Sequence, residues 1–336
     1  MKAQKERDYI YASTMIRSAG GKGTAGERLL SFTGAGSVGE LASLILDAGL
    51  VSDRFIPSAT DFSSTVSAAL DSAVDLVTSS VPDPSVYGFL LFKFDCNNLK
   101  VALKENITGA SSGDLFFNCG TVGAEKIKEC VRSRRFDGIP ENMASGAAEA
   151  LDEYEQTGEA RIIDFLIDKG CFEDSERSAK ETGVKLFSDL ISKRADTVNI
   201  MTYLRVHVSG LPSGTVTSVI ERASVSGGTI PVERFLSAAE DVLSGADMRD
   251  ALANRIDDYP MRAAIRETSD IVDTSARLDE IFESVVKPYG FRPFGPEIPA
   301  MFLIEREAEL RQCRMIASMI RAGCPREEIR RRFKVN

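Results

Sequence analysis

Several groups of residues in this chain have types and spacings that could do chemistry. Gly20-Gly21-Lys22-Gly23-Thr24 resembles a phosphate-binding loop. Such a loop needs a glycine six residues before the lysine, so that backbone N–H groups wrap the phosphate, and a strand leading into it. Ile16 holds that position and a helical pattern precedes it, so the segment reads as a Gly-rich turn. A nucleotide- or phosphate-binding enzyme using the Lys22 loop stands as the alternative function. Gly34, Gly36 and Gly39 spell GxGxxG, again with no strand before them, and read as a turn. His207 is the only histidine, and the six cysteines form no CxxC spacing. No catalytic, metal-binding or cofactor-binding residue is expected from these groups.

The most specific signal is a polar pair that recurs. When Asn98 is set on Asn199, Asp95 falls on Asp196, Leu103 on Leu204, Lys104 on Arg205 and Gly109 on Gly210. A fainter third copy places Glu309 and Gln312 at the acid and amide positions and Gly323 at the glycine. Two readings of Asp95/Asn98, Asp196/Asn199 and Glu309/Gln312 stand. Either the groups tie each long helix to its neighbours, as buried polar groups require partners, or they line a cavity shared by three helices. Recurrence in every copy favours the ties.

Long helices must position these pairs. In the second copy Ile200, Leu204 and Val208 make an apolar stripe, while Asp196, Asn199, Tyr203 and His207 make a polar-tipped one. The shared glycine suits a left-handed C-terminal cap. Gly120-Thr121-Val122 matches Gly228-Thr229-Ile230, with Thr121 and Thr229 expected at or near N-caps and Pro231 in a first helical turn. Further helices are expected at 8–17, in the latter half of 27–50, and at 61–79, 143–154, 158–169, 175–194 (merging into the long helix of the second copy), 232–243, 247–256, 260–286 and 325–333. No run alternates apolar and polar residues long enough to make a sheet. The fold class is all-α, in three similar helical units at 1–119, 120–227 and 228–336.

Hydrophobic residues make up 43% of the chain and charged ones 27%, which excludes a disordered polymer. No apolar run is long enough to span a bilayer, and the N-terminus lacks the apolar core of a signal peptide. A cytoplasmic protein with no transmembrane segment of its own is expected. A net charge of −9 argues against a general nucleic-acid binder. The C-terminal end is locally basic, and Arg326, Arg330, Arg331 and Arg332 make a candidate docking surface for a partner or a solvated helix face.

With these residues set out, the chain resembles the C subunit of the V-type/A-type rotary ATPases (ATP synthases), the family of the eukaryotic d subunit. The likeness runs from Tyr9 to Phe333. It is sharpest in Pro293–Phe302, Ile304–Arg311 and Gly323–Phe333, with further matches at Asp196–Arg205 and Gly227–Pro231. Where the family carries Arg-x-Arg near its N-terminal helix, only Arg17 stands here, and 18–26 looks like an insertion. The resemblance implies a funnel of three similar units about a pseudo-threefold axis. It also implies a non-catalytic role, with the central-stalk subunits inserted in the funnel and the cytoplasmic face of the membrane rotor ring beneath it. The protein would then be peripheral to the membrane and carry torque for proton or sodium transport or ATP synthesis.

Overall fold

A computed structural model describes residues 5–19, 21–57, 61–110 and 115–333. Among them there are α-helices and short 3-10 turns and no strand. In chain order the helices are α1 (Ile10–Ser18), α2 (Ala25–Phe32), α3 (Val38–Asp47), α4 (Phe62–Ser80), α5 (Gly88–Thr108), α6 (Ala124–Ser133), α7 (Glu141–Thr157) and α8 (Arg161–Thr182). They continue as α9 (Lys185–Val208), α10 (Ser213–Ala223), α11 (Val232–Leu243), α12 (Met248–Ala253), α13 (Tyr259–Glu267), α14 (Ile271–Ser284), α15 (Glu297–Arg321) and α16 (Arg326–Arg332). None of them is long and apolar enough to cross a membrane.

The chain folds as two compact units. One comprises residues 86–287 and holds α5 to α14. The other joins the two ends of the chain, bringing α1 to α4 together with α15 and α16. The described residues of the first unit include two apolar cores. Leu99 and Leu103 of α5 pack with Ile127, Met143 and Ile163 in one of them. Ile200 and Leu204 of α9 pack with Phe235, Leu252 and Leu278 in the other. In the second unit α15 packs on α4, α1 and α3, burying Leu303, Leu310 and Ile316.

The shared glycines do what the spacing predicts. Gly109, Gly210 and Gly323 all have φ near +70°, the left-handed conformation that ends a helix at little cost only in glycine. Val208 departs from its expected place on the apolar stripe: it is 55% exposed, because it is the last residue of α9.

Several helix boundaries also differ from expectation. A break at 169–175 and a helix merging from 175 into the second copy are predicted, but α8 runs through Gly170 and stops at Gly183, whose φ is +72°, so that α9 starts afresh at Lys185. Gly170 instead marks a helix crossing. A Cβ there would strike the Asn142 carbonyl oxygen, and one on Gly146 would lie 2.7 Å from that of Leu166. Small residues let α7 and α8 approach closely. The expected single helix at 260–286 is two, since the Asp270 carboxylate caps α14 by accepting the Asp273 N–H at 2.8 Å. An aspartate N-cap contributes about 1 kcal/mol, and Asp247 and Asp258 start α12 and α13 in the same way. The short helices α2 and α10 were not expected.

Candidate functional site

The recurring polar pairs on α5 and α9 are buried and do the same work. Asp95 is 1% exposed and its carboxylate accepts the Thr121 N–H at 3.0 Å, the Val122 N–H at 2.9 Å and the Thr121 hydroxyl. One turn along, the Asn98 amide donates to the Phe117 carbonyl and accepts the Phe117 N–H, both at 2.8 Å. On α9 the Asp196 carboxylate accepts the Thr229 hydroxyl at 2.6 Å and the Ile230 N–H at 2.9 Å. Asn199 closes a matching amide ring on Val225, at 2.9 and 2.8 Å. Helix α5 thereby holds the loop that follows it, α9 holds the loop between α10 and α11, and the buried donors of both loops find acceptors.

These bonds explain the Gly-Thr match. A Cβ on Gly120 would collide with the Asp95 carboxylate, and one on Gly228 with that of Asp196. Glycine lets the loop backbone reach the acid. Thr121 and Thr229 lie near the N-caps, as expected, two residues before each, and their hydroxyls serve these clamps. Gly123 takes the N-cap position of α6 and Pro231 that of α11. Burial pushes the Asp95 and Asp196 carboxyls above their ordinary values, and the threonine hydroxyls and loop N–H groups pull in the opposite direction.

The third acid is held differently. Glu309 of α15 accepts Nε and Nη2 of Arg28, the latter at 3.1 Å, and Nε of Arg306 lies 3.3 Å away. The three side chains are at most 10% exposed. Arg28 comes from α2 and also donates to the Gly23 carbonyl at 2.8 Å. Burial lowers the pKa of Arg306, with the Glu309 charge opposing, and lifts the Cys313 thiol to about 12, helped by the Glu309 charge. Gln312 is half-buried and makes no amide ring like those of Asn98 and Asn199.

Arg326, Arg330, Arg331 and Arg332 are exposed on α16, whose Ile329 is buried beneath them. Arg326 reaches over Gly36 of the turn before α3, and the Arg330 guanidinium approaches Gly34. The GxGxxG segment is that turn, and Ser37 within it caps α3. Gly20 lies outside the described residues. Lys22 is exposed, and its N–H donates to the Ala48 carbonyl at 2.8 Å. Thr24 starts α2 in a capping box with Glu27, so its N–H is already bonded to a carboxylate. Helix α1, not a strand, precedes this loop. His207 sits beside Tyr203, with ring centroids 4.3 Å apart and Nδ1 2.9 Å from the Tyr203 carbonyl oxygen.

The sequence reading did not single out Arg28 or Arg306. It also missed the α5–α8 ion pairs, in which Lys104 contacts Asp164 at 2.7 Å and Lys100 contacts Asp168. Among the described residues no group of three His, Cys, Asp or Glu side chains is placed to hold a metal ion. The polar groups of the α5 and α9 clamps are spent on internal bonds. What they can do is fix long helices against loops.

The ATP synthase (C/AC39) subunit family matches residues 52–332. One similar protein is the C subunit of the V-type sodium ATPase of Enterococcus hirae, 21% identical over 92% of both chains. The C subunit of the A-type ATP synthase of Desulfurococcus is 21% identical, over 78% of this chain and 72% of its own. That of Thermococcus gammatolerans is 22% identical, over 76% and 70%.

Proposed function

The chain belongs to the ATP synthase (C/AC39) subunit family, and from that premise we propose that it is the central-axis coupler of a rotary ATPase. Three helical units, each built on one of α5, α9 and α15, stand about a pseudo-threefold axis as a funnel. The central-stalk subunits insert into it, and its other end rests on the cytoplasmic face of the membrane rotor ring. The protein is non-catalytic and peripheral to the membrane.

The observation that carries this reading is the family match over most of the chain, taken with the clamped long helices. A part that transmits torque needs stiffness rather than a titrating nucleophile. Close-packed interiors supply stiffness, and the paired Asp/Asn clamps remove the slack a helix would have against the loop it bonds. Each partner interface is expected to bury about 800 Å² per side. Tagging this chain and purifying the intact complex tests the proposal. Stalk and ring subunits are expected in stoichiometric yield, with no ATP turnover by the isolated chain. ATP hydrolysis by the clean chain, lost in Lys22→Ala, would establish the enzyme instead.

A further inference from the structure

The α5 and α9 copies differ at one aligned position, and the difference lies at the mouth of a cleft. In α5, Lys104 is answered inside the protein by Asp164 of α8. Its counterpart Arg205 in α9 is exposed and has no hydrogen bond or ion pair among the described residues. Arg205 lines a cleft of about 300 Å³ between α8, α9 and α10. Phe165, Val198, Val206, Leu211 and Val219 supply its apolar surface. Arg161 lies on the same rim, held among the described residues only by an exposed contact to Glu159 at 3.6 Å. The two carboxylates that also face the cleft, Asp164 and Asp168, are already neutralised by Lys104 and Lys100. The cleft therefore presents apolar surface beside the charge of Arg205, which no described residue pairs.

We propose that this cleft is a docking site for an acidic, apolar segment of a neighbouring subunit in the ATPase complex. That segment places an apolar side chain between α8 and α9 and a carboxylate on Arg205 and Arg161. The inference rests on the coupler reading above and adds to it a specific surface. Charge complementarity selects the occupant. A basic or neutral segment would leave Arg205 unanswered, whereas a carboxylate gains a charge-assisted and bidentate contact. The volume lies at the bottom of the range for small-molecule pockets, roughly 300–1,000 Å³. It suits a large side chain carried by a protein segment better than a free ligand.

The test uses the assembled complex, with the photo-reactive p-benzoylphenylalanine replacing Thr202, which faces the cleft. Irradiation followed by peptide mass spectrometry is expected to show one attachment site on another subunit, with an Asp or Glu within four residues of it. Adding Arg205→Glu is expected to cut that cross-link about tenfold at physiological salt, while Arg205→Lys retains most of it. The melting temperature of the isolated Arg205→Glu chain stays at the wild-type value, because no internal bond is lost. An intact complex with no cross-link at Thr202 overturns the cleft assignment alone. So does attachment to lipid, to a second copy of this chain or to a segment without acid, and so does a yield indifferent to Arg205→Glu. Failure of the wild-type chain to enter any ATPase complex defeats the coupler reading and this inference together.

Discussion

Helices α9 and α15 carry an acid at the same place in the repeat and hold it by opposite means. Asp196 is answered by a hydroxyl and backbone N–H of one loop, all neutral groups. Glu309 is answered by two guanidinium groups, one from its own helix and one from α2, far away in sequence. A carboxylate capped by neutral donors depends on geometry, and glycine at position 228 provides that geometry. A carboxylate between two buried arginines depends on charge balance. Removing the acid there takes its charge from two guanidinium groups in a medium that solvates them poorly. One arrangement fixes a local loop, and the other ties the first part of the chain to the last.

The largest effect is therefore expected from Glu309→Ala. It removes the carboxylate shared by the largely buried Arg28 and Arg306 and costs about 4 kcal/mol, read as a lower urea midpoint. A loss below that of the α9 acid would erase the distinction.

Next comes Asp196→Ala, which leaves the buried Ile230 N–H and the Thr229 hydroxyl without acceptors and costs about 3 kcal/mol. Its pH dependence has a defined sign. Burial raises the folded-state pKa of Asp196 above 3.8, so protons bind the folded form more tightly than the unfolded one. The protonation-linked part of this group's contribution is full below its ordinary pKa and is lost as pH rises through the folded value, while its hydrogen bonds to Thr229 and Ile230 remain. The Asp196→Ala penalty therefore grows as pH falls from neutral toward the carboxylate range. Urea midpoints for both proteins at several pH values measure it.

The smallest contrast compares amides. Asn199→Ala breaks the ring on Val225 and costs about 2 kcal/mol, whereas Gln312→Ala is expected to shift stability by less than about 0.5 kcal/mol. Equal losses would mean that Gln312 has a structural role like that of Asn199.

Much of this was legible in the sequence because the repeat carries it. The Asp and Asn spacing, the terminal glycines and the Gly-Thr match all recur between the first two copies; the acids, amides and Gly-Thr segments meet in the clamps, and the glycines end the helices. What was hidden depends on contacts without sequence periodicity. Arg28 finds Glu309 across 281 positions, and no local pattern announces such a partner. Gly170 reads as a helix breaker, yet it serves a crossing with α7 that only packing reveals. Thr121 and Thr229 have the composition of N-caps, but their hydroxyls go to a carboxylate on another element. The two-helix split at 268–270 was visible in Asp270 as a cap, though the apolar period over 260–286 masked it.

The coupler role is tested most directly by reconstituting the ATPase in vesicles with and without this chain, following ATP hydrolysis and ion uptake together. With the chain present, each hydrolysed ATP is expected to move ions. Without it, hydrolysis is expected to continue while uptake is lost. Undiminished uptake in the absence of the chain would contradict the account.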